Sequence, residues 1–303
     1  MSFYYLTSTY IIEVIDTIST TAVSSPLDPY AAAHLRPQGE GDARPTALQI
    51  IHDEGLVNKM TDKVMFITGA SSGLGAETAR ALHATGAHIF MQVRDLKKGQ
   101  EVLEEIRASS EGKGEIELLF MELDSRDLVR EGASEFLKRT KKLNVLVCNA
   151  GIRNPPEGRT KDGFEIQWGT NHISHFIPFN LLLPTLLSSS TPSFNSHVIM
   201  VSSGAHRTSN IYFDNVNLEG IYDPKIGYAQ SKTANILVAN QIERLYGNKG
   251  VHGLSVHPGS IPSKTQRYDD PKQLKELKKL MKDILKNYAQ VAATQVWAAV
   301  GNV

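Results

Sequence analysis

From residue 63 onward, short apolar runs alternate with stretches of helical spacing. The apolar runs are KVMFITGA (63–70), AHIFMQVR (87–94), IELLFMELD (116–124), LNVLVCNAG (143–151), HVIMVSS (197–203) and HGLSVHPG (252–259). The helical stretches are 76–86, 95–109, 126–140, 162–187 and 228–246. Because the runs are apolar throughout, they are typical of strands that helices bury on both faces. This order predicts an α/β fold with a single doubly wound parallel sheet and helices on both faces.

The first 45 residues lack this rhythm. They show no sustained periodicity, and four prolines and two glycines fall between residues 26 and 45. We therefore predict that residues 1–45 form an extension that is partly disordered. The segment TALQIIHDEGL (46–56) could form a short helix that packs on the domain. A single domain is accordingly predicted over residues 46–303.

Composition narrows the classes of protein. Apolar residues make up 41% and charged residues 21% of the 303 residues, and 32 basic side chains balance 32 acidic ones. This balance predicts no nucleic acid partner. Cys148 is the only cysteine, so no disulfide can form within the chain and a reducing compartment is favoured. Glu13 and Asp16 interrupt the apolar N-terminus, and no stretch has the length of a transmembrane span. We expect a cytoplasmic protein and leave peripheral membrane association open.

The first predicted strand runs directly into TGASSGLG (68–75). Its glycine spacing is GxxxGxG, with a strand before it and a helix after it. Glycines let the backbone approach a pyrophosphate, and the helix N-terminus offers free N–H groups and the positive end of its dipole. The alternative is an ordinary glycine-rich turn, but the context predicts a Rossmann-type dinucleotide site.

Two further strand ends bear on the choice of cofactor. The second strand ends in Arg94 followed by Asp95, where a basic residue accommodates a 2′-phosphate and an acidic residue favours NAD. We predict that NADP(H) is preferred, and the adjacent aspartate leaves NAD(H) open. Asp124, after the third strand, could accept from the adenine amino group or cap the next helix.

Several motifs follow one another in a characteristic order. They are TGASSGLG, NAG (149–151), Asn171, Ser202–Ser203, YAQSK with Tyr228 and Lys232, and HPG (257–259). Together they resemble the short-chain dehydrogenase/reductase family over about residues 60–300. VSSGAH (201–206) and SKTANI followed by SVHPG resemble its retinol-dehydrogenase-like and WW-domain-oxidoreductase-like branch.

The resemblance implies a role for each matching residue. The expected catalytic residues are Asn171, Ser203, Tyr228 and Lys232. The expected cofactor-binding residues are Thr68, Gly69, Ser71, Ser72, Gly73, Leu74, Gly75, Asn149, Ala150, Gly151, Tyr228, Lys232, Pro258 and Gly259, together with Arg94 and Asp124 from the strand ends. No metal site is predicted.

The chain departs from the family pattern in three places. Cys148 replaces an asparagine that precedes NAG in many relatives. After HPG, the usual threonine-bearing stretch is SIPSKTQ, so Ser260, Ser263 or Thr265 could supply the contact to the nicotinamide amide. Relatives also continue into a further strand beyond AATQVWAAVGNV. The resemblance therefore implies a chain truncated at its C-terminus and a sheet that lacks its last strand.

Tyr228 and Lys232 give a mechanism for proton transfer. A free tyrosine has a pKa of about 10 and is a poor base at neutral pH. Residues at i and i+4 share a helix face, so Lys232 could lie near Tyr228 and lower the pKa of its phenol. Tyr228 would then act as the acid in reduction and the base in oxidation. Ser203 would donate to the substrate oxygen, and Asn171 would hold a water that connects Lys232 to solvent.

The remaining features leave alternatives open. His172 and His175 lie three apart on a helix, and without a third ligand we interpret them as helix-surface or packing residues. The lysine-rich segment 272–286 has an amphipathic pattern, as either a lid or a solvated helix. Apolar residues of the insert 204–227 could line a pocket or pack on the domain, which favours a small lipophilic carbonyl or alcohol as substrate.

The sequence thus predicts an NADP-dependent alcohol/carbonyl oxidoreductase. The alternatives are a cofactor-sensing scaffold that binds a protein partner without turnover, and an inactive truncated relative. Assembly into a homo-oligomer stays open.

Overall fold

The structure is a computed structural model that describes residues 29–301. The first 28 residues of the predicted extension lie outside the described residues, so its predicted disorder stays a prediction. Residues 38–45 lie against the domain, because the buried Arg44 guanidinium donates to the backbone oxygens of Ile284 and Leu285. Two short helices flank this segment: α1 (Ala31–His34) precedes it and α2 (Ala47–Asp53) follows it. The second is the short helix predicted within residues 46–56.

Six parallel strands form one sheet in the described chain, in the order β3-β2-β1-β4-β5-β6. The strands are β1 (Val64–Ile67), β2 (His88–Val93), β3 (Ile116–Phe120), β4 (Val145–Cys148), β5 (Ser196–Val201) and β6 (Val251–Val256). This is the predicted α/β Rossmann-like architecture, and each strand falls within a predicted apolar run or one residue outside it. The strand order reverses direction between β1 and β4, where doubly wound folds bind their ligands. The predicted absence of a further strand stays a prediction.

Eight further α-helices follow in the described chain, and the long buried ones cover both faces of the sheet. They are α3 (Gly73–His83), α4 (Leu96–Ser109), α5 (Arg126–Arg139), α6 (Ile166–Trp168), α7 (Ser174–Ser189), α8 (Pro224–Tyr246), α9 (Pro271–Leu280) and α10 (Tyr288–Val300). A hydrophobic core lies on each face of the sheet, and alternate residues of β1 point into one core or the other. Met65 and Ile67 pack with α3, α4 and α10, while Phe66 packs with α5, α7 and α8. The apolar burial explains why both faces of the strands are hydrophobic.

Two predicted helices differ from those observed. The predicted helix 162–187 begins only at Ile166 and is not α-helical throughout. A π-helical turn, Gly169–Ile173, joins α6 to α7. Such π-bulges often occur at functional sites. The amphipathic segment 272–286 is helical only over Pro271–Leu280, and none of the residues of this helix is buried. Among residues 29–301, the helices are all too short or too polar to span a bilayer.

Candidate active site

The turn after β1 has a backbone that only glycine fits. Gly69 and Gly73 have φ angles of 68° and 58°, in the left-handed region that favours glycine. A Cβ on Gly75 would lie 2.4 Å from the Gly69 oxygen and 2.5 Å from Nδ2 of Asn149. A Cβ on Gly69 would lie 2.9 Å from the Cα of Ala150. The turn is therefore packed directly against the segment that follows β4.

The helix that follows this turn has an open N-terminus. α3 begins at Gly73, and within the described chain the Ser72 side chain makes no capping hydrogen bond. The first-turn N–H groups, from Gly73 to Gly75, thus keep the free donors that a helix offers to an anion. Ser71, Ser72 and Leu74 are partly exposed beside them. This arrangement fits the phosphates of a dinucleotide.

Buried polar side chains hold the phosphate turn in place. Gln92 on β2 accepts from the Gly69 N–H at 2.8 Å and donates to the Met121 oxygen at 2.6 Å. The Thr68 hydroxyl accepts from the N–H groups of Asn149 and Ala150 at 2.9 and 3.0 Å. These bonds tie the carboxyl ends of β1, β2 and β4 together, so they fix the turn at the switch point of the sheet.

Helix α10 supports the same region through a buried glutamine. Gln295, which is fully buried, donates to Oδ1 of Asn149 at 3.2 Å and accepts from the Thr78 hydroxyl at 2.9 Å. Asn149 in turn donates to the Thr68 oxygen at 2.8 Å. No local sequence motif predicts the roles of Gln92 and Gln295, because their partners lie far away in the sequence.

Asn171 is brought to the segment after β4 by the π-helical turn. Its carboxamide accepts from the Ile152 N–H at 2.8 Å and donates to the Ile152 oxygen and the Ser231 hydroxyl, both at 3.0 Å. A Cβ on Gly151 would lie 3.2 Å from Oδ1 of Asn171 and 3.5 Å from Nζ of Lys232. Asn171, Gly151 and Lys232 therefore form one cluster.

The two serines after β5 point to different partners. Ser202 is buried, and its hydroxyl donates to the Lys232 oxygen at 2.9 Å, which binds the strand to α8. Ser203 is partly exposed, accepts from the Ala205 N–H at 3.2 Å, and is hydrogen-bonded to the phenol of Tyr228. The structure thus brings Ser203, rather than Ser202, to Tyr228, as the resemblance implied.

The environment of the Tyr228 phenol differs from the predicted one. Burial raises the pKa of Tyr228, while the hydrogen bond from Ser203 and the positive charge of Arg153 lower it, and Asp269 raises it. The Arg153 guanidinium lies 5.9 Å from the centre of the Tyr228 ring and 3.4 Å from Oδ2 of Asp269. The sequence predicts this cation effect from Lys232, whereas the structure places Arg153 near the ring as well. Arg153 lies two residues after NAG, in a loop without a recognisable pattern.

Lys232 is a buried lysine with a backbone partner. Its amine donates to the Val201 oxygen at 2.8 Å and lies 5.7 Å from the centre of the Tyr228 ring. Burial lowers its pKa to about 8, and the neighbouring Cys148 opposes this shift. The thiol of Cys148 is fully buried, which raises its pKa to about 12 and keeps it protonated. Cys148 is therefore an inert packing residue at this site.

The two histidines of the predicted helix are buried packing residues rather than surface residues. His175 is fully buried, with Nδ1 2.9 Å from the Asn171 oxygen and Nε2 2.9 Å from the Thr68 hydroxyl. Burial lowers its pKa to about 4, so the ring is neutral at physiological pH. His175 therefore connects the phosphate turn to the π-helical turn that carries Asn171. His172 is 3.3 Å from Oδ1 of Asn235.

Of the charged side chains that follow β2 and β3, one is exposed without a partner in the described chain and the others contact neighbouring residues. Arg94 is exposed and makes no hydrogen bond or ion pair with another residue of the described chain. Asp95 caps α4, because its carboxylate accepts from the Lys98 N–H at 3.1 Å. Ser125, not Asp124, caps α5. Asp124 lies 3.6 Å from the amine of Lys161, so its contact with adenine stays a prediction.

The turn after β6 lies beside the segment before α10. Gly259, which follows Pro258, has a φ of 102°. The Ser260 oxygen accepts from the Lys286 N–H at 2.9 Å. The roles that the resemblance implies for Pro258 and Gly259 beside the nicotinamide stay predictions.

The insert between β5 and α8 is more open than this turn. Phe213, Ile221 and Tyr212 are 77%, 50% and 41% exposed.

Known proteins are similar to this chain in sequence and in fold. The family model for short chain dehydrogenases matches residues 63–274. Short-chain dehydrogenase/reductase prx1 of Penicillium roqueforti is 48% identical over 274 residues, covering 90% of this chain and 79% of the relative. Oxidoreductase calI of Penicillium decumbens is 48% identical over 285 residues, covering 90% and 82%. Retinol dehydrogenase 11 of Homo sapiens is 38% identical over 212 residues, covering 69% and 64%.

A solved structure shares the fold. The NADP complex of Pseudomonas aeruginosa RhlG superposes with a TM-score of 0.64 at 22% identity, covering 80% of this chain and 93% of that one. The parallel sheet, the glycine turn and the relatives together define an oxidoreductase with a Rossmann-like fold. The chain belongs to the short-chain dehydrogenase/reductase family.

Proposed function

We propose that this chain is an NADP-dependent oxidoreductase that interconverts a carbonyl and an alcohol, with Tyr228 as general acid and base. The observation that carries the proposal is the meeting of Ser203, Tyr228 and Lys232. Lys232 lies beside Gly151, in the segment after β4 that packs on the phosphate turn, and Asn171 connects that segment to α8. The bound nicotinamide would supply or accept the hydride. A side chain that exchanges a proton with the substrate oxygen completes the reaction.

Each of the four residues has a distinct task in this proposal. In reduction, Tyr228 donates its phenolic proton to the forming alkoxide, and in oxidation its phenolate takes the proton back. Ser203 donates a hydrogen bond to the substrate oxygen and stabilises its developing charge. Lys232 binds the nicotinamide ribose. Asn171 holds Ile152 and Ser231 in position, and the water predicted beside it stays a prediction.

NADP is proposed as the preferred cofactor because of the contrast between Arg94 and Asp95. The guanidinium of Arg94 is exposed and unengaged in the described chain, whereas the carboxylate of Asp95 is occupied as a helix cap. A free guanidinium at the end of β2 suits a 2′-phosphate through paired hydrogen bonds. NADP in the RhlG complex agrees with this choice only by analogy of fold.

Arg94→Ala tests the cofactor preference. Removing a charge-assisted contact should weaken NADPH binding about tenfold or more and leave NADH binding unchanged. Titration of both dinucleotides by fluorescence measures the difference. Lys97→Ala, an exposed charge in the next helical turn, is the matched control. An equal loss for both dinucleotides would remove the claim of a 2′-phosphate contact.

Tyr228→Phe tests the proposed chemistry. Wild-type protein should bind NADPH and oxidise it in the presence of some members of a panel of lipophilic ketones and aldehydes. The variant should lose about a hundredfold or more in turnover, because general acid catalysis contributes about that much, and should keep its affinity for NADPH. Tyr246→Phe on the same helix is the control.

The rival function makes the opposite prediction in the same assay. A cofactor-sensing scaffold would bind NADPH tightly while no carbonyl of the panel consumes it. That result would contradict the enzymatic proposal, and loss of NADPH binding in Tyr228→Phe would contradict the role given to the phenol.

A further inference from the structure

Lys286 is a buried lysine whose amine has no partner among residues 29–301. The residue is 8% exposed, and its amine makes no hydrogen bond or ion pair with any residue of the described chain. Burying an ammonium without an acceptor is unfavourable, because water no longer solvates the charge. Burial, followed by the charge of Arg44, accordingly lowers the pKa of Lys286, while Asp42 opposes the shift. A bound anion would therefore stabilise the charged form of this side chain.

The segment that carries Lys286 touches both turns of the proposed cofactor site. A Cβ on Gly259 would lie 3.5 Å from Nζ of Lys286, so the amine lies over the turn after β6. Two residues further on, a Cβ on Gly73 would lie 3.1 Å from the ring of Tyr288. Gly73 is the first residue of α3, whose N-terminus carries free N–H groups. Residues 286–288 therefore span the short distance between the phosphate turn and Gly259.

A dinucleotide places its diphosphate in this region. In doubly wound folds the diphosphate lies at the N-terminus of the helix after the first strand. The turn TGASSGLG (68–75) contains no lysine or arginine of its own. A cation from another part of the chain would complement the charge of the two phosphates there, and a phosphate would give the buried amine its missing acceptor.

We propose that Lys286 binds the diphosphate of the dinucleotide and supplies the positive side chain that the phosphate turn lacks. This inference rests on the proposed function, because it requires a dinucleotide at this site. It also makes Lys286 distinct from Arg94. The first recognises a group common to NADPH and NADH, and the second a group present only in NADPH.

Binding of cofactor fragments tests the assignment directly. ADP-ribose carries the diphosphate without the nicotinamide or the 2′-phosphate, and 2′-AMP carries the 2′-phosphate without the diphosphate. Lys286→Met should weaken NADPH, NADH and ADP-ribose about tenfold or more and leave 2′-AMP unchanged. Arg94→Ala should weaken 2′-AMP and NADPH and leave ADP-ribose unchanged. Calorimetry or fluorescence titration gives each affinity without requiring turnover.

Two controls accompany the experiment. Lys282→Met removes an exposed charge from the same segment and should change no affinity. Lys286→Arg keeps the charge and should retain most of the ADP-ribose affinity. Lys286→Gln serves as a second charge-deleting variant, with thermal unfolding measured for all, so that a folding defect in Lys286→Met does not decide the result.

Two outcomes overturn the assignment and are distinguishable from failure of the proposed function. If ADP-ribose binds wild type and Lys286→Gln equally well, Lys286 does not contact the diphosphate. If only the complete dinucleotides are weakened, Lys286 acts at the nicotinamide or substrate end instead. Failure of the wild-type chain to bind any dinucleotide would contradict the proposed function itself, and this inference with it.

Discussion

The proposed cofactor side and the proposed substrate side of this site are built in different ways. The phosphate turn is held by buried amides and hydroxyls, and its glycines have left-handed φ angles or a contact below 3 Å where a Cβ would be. The insert 204–227, where a pocket for a lipophilic substrate is proposed, instead exposes large apolar side chains, including Phe213 at 77%. Backbone geometry therefore specifies the first region, and exposed side chains characterise the second. We expect substitutions to affect stability in the first region and substrate choice in the second.

The largest effect should follow from a single methyl group in the phosphate turn. Gly75→Ala would place a Cβ 2.4 Å from the Gly69 oxygen, and backbone cannot move away as a flexible side chain can. We expect a loss of about 3 kcal/mol in the free energy of unfolding, together with weaker NADPH binding. Urea denaturation and NADPH titration measure the two effects.

Gly158→Ala provides the matched control for this substitution. A Cβ at that position would meet only the Pro156 oxygen, at an ordinary 3.8 Å. Its stability should therefore stay within about 0.5 kcal/mol of wild type. Equal stability of the two variants would show that the phosphate turn is not constrained in the way its packing indicates.

The same contrast determines how much the sequence predicts. The six strands and the phosphate turn were predicted because buried strands and glycine spacing leave local patterns. The contacts that hold the site were missed because they join residues far apart in sequence. Thr68 meets His175 across 107 positions and Thr78 meets Gln295 across 217. No periodicity records such pairs.

Lys286 illustrates the same limit within one segment. In the sequence it is the last of six lysines in an amphipathic pattern between residues 272 and 286. In the structure the helix ends at Leu280, and Lys282 is exposed while Lys286 is buried. Its burial depends on Gly259 and on the turn after β6, neither of which belongs to the pattern. Only the tertiary fold separates this lysine from its neighbours.

A smaller effect should follow from replacing Arg153, whose guanidinium lies 5.9 Å from the centre of the Tyr228 ring. Burial has the largest effect on the pKa of Tyr228 and raises it. The Ser203 hydrogen bond comes second and the charge of Arg153 third, and both lower this pKa. Arg153→Ala should therefore move this pKa upward. Because oxidation requires the phenolate and reduction the phenol, the rise of alcohol oxidation and the fall of carbonyl reduction should both shift to higher pH.

The pH dependence of kcat/KM in both directions measures this shift. Arg153→Lys keeps a positive charge and should restore much of the original profile. A purely structural role for Arg153 would lower activity at all pH values without moving the midpoint. Arg159→Ala, an exposed change in the same loop, is the control, because Arg159 contacts Asn217 and Glu219 rather than Tyr228.

The smallest effect on stability should come from the substrate side. Phe213 is 77% exposed, so replacing it removes little buried apolar area. Phe213→Ser should change the free energy of unfolding by no more than about 0.5 kcal/mol. If the insert contacts a lipophilic substrate, the same variant should raise KM for long apolar carbonyls and leave KM for short ones unchanged, because only the long substrates reach the insert.

The control for Phe213→Ser lies outside the proposed substrate region. Leu96→Ser removes a side chain that is 51% exposed at the start of α4 and should change neither KM nor stability appreciably. If Phe213→Ser instead destabilises the protein as strongly as Gly75→Ala, the insert is part of the structural core. In that case the two regions do not divide stability from substrate choice, and the lipophilic pocket must be sought elsewhere.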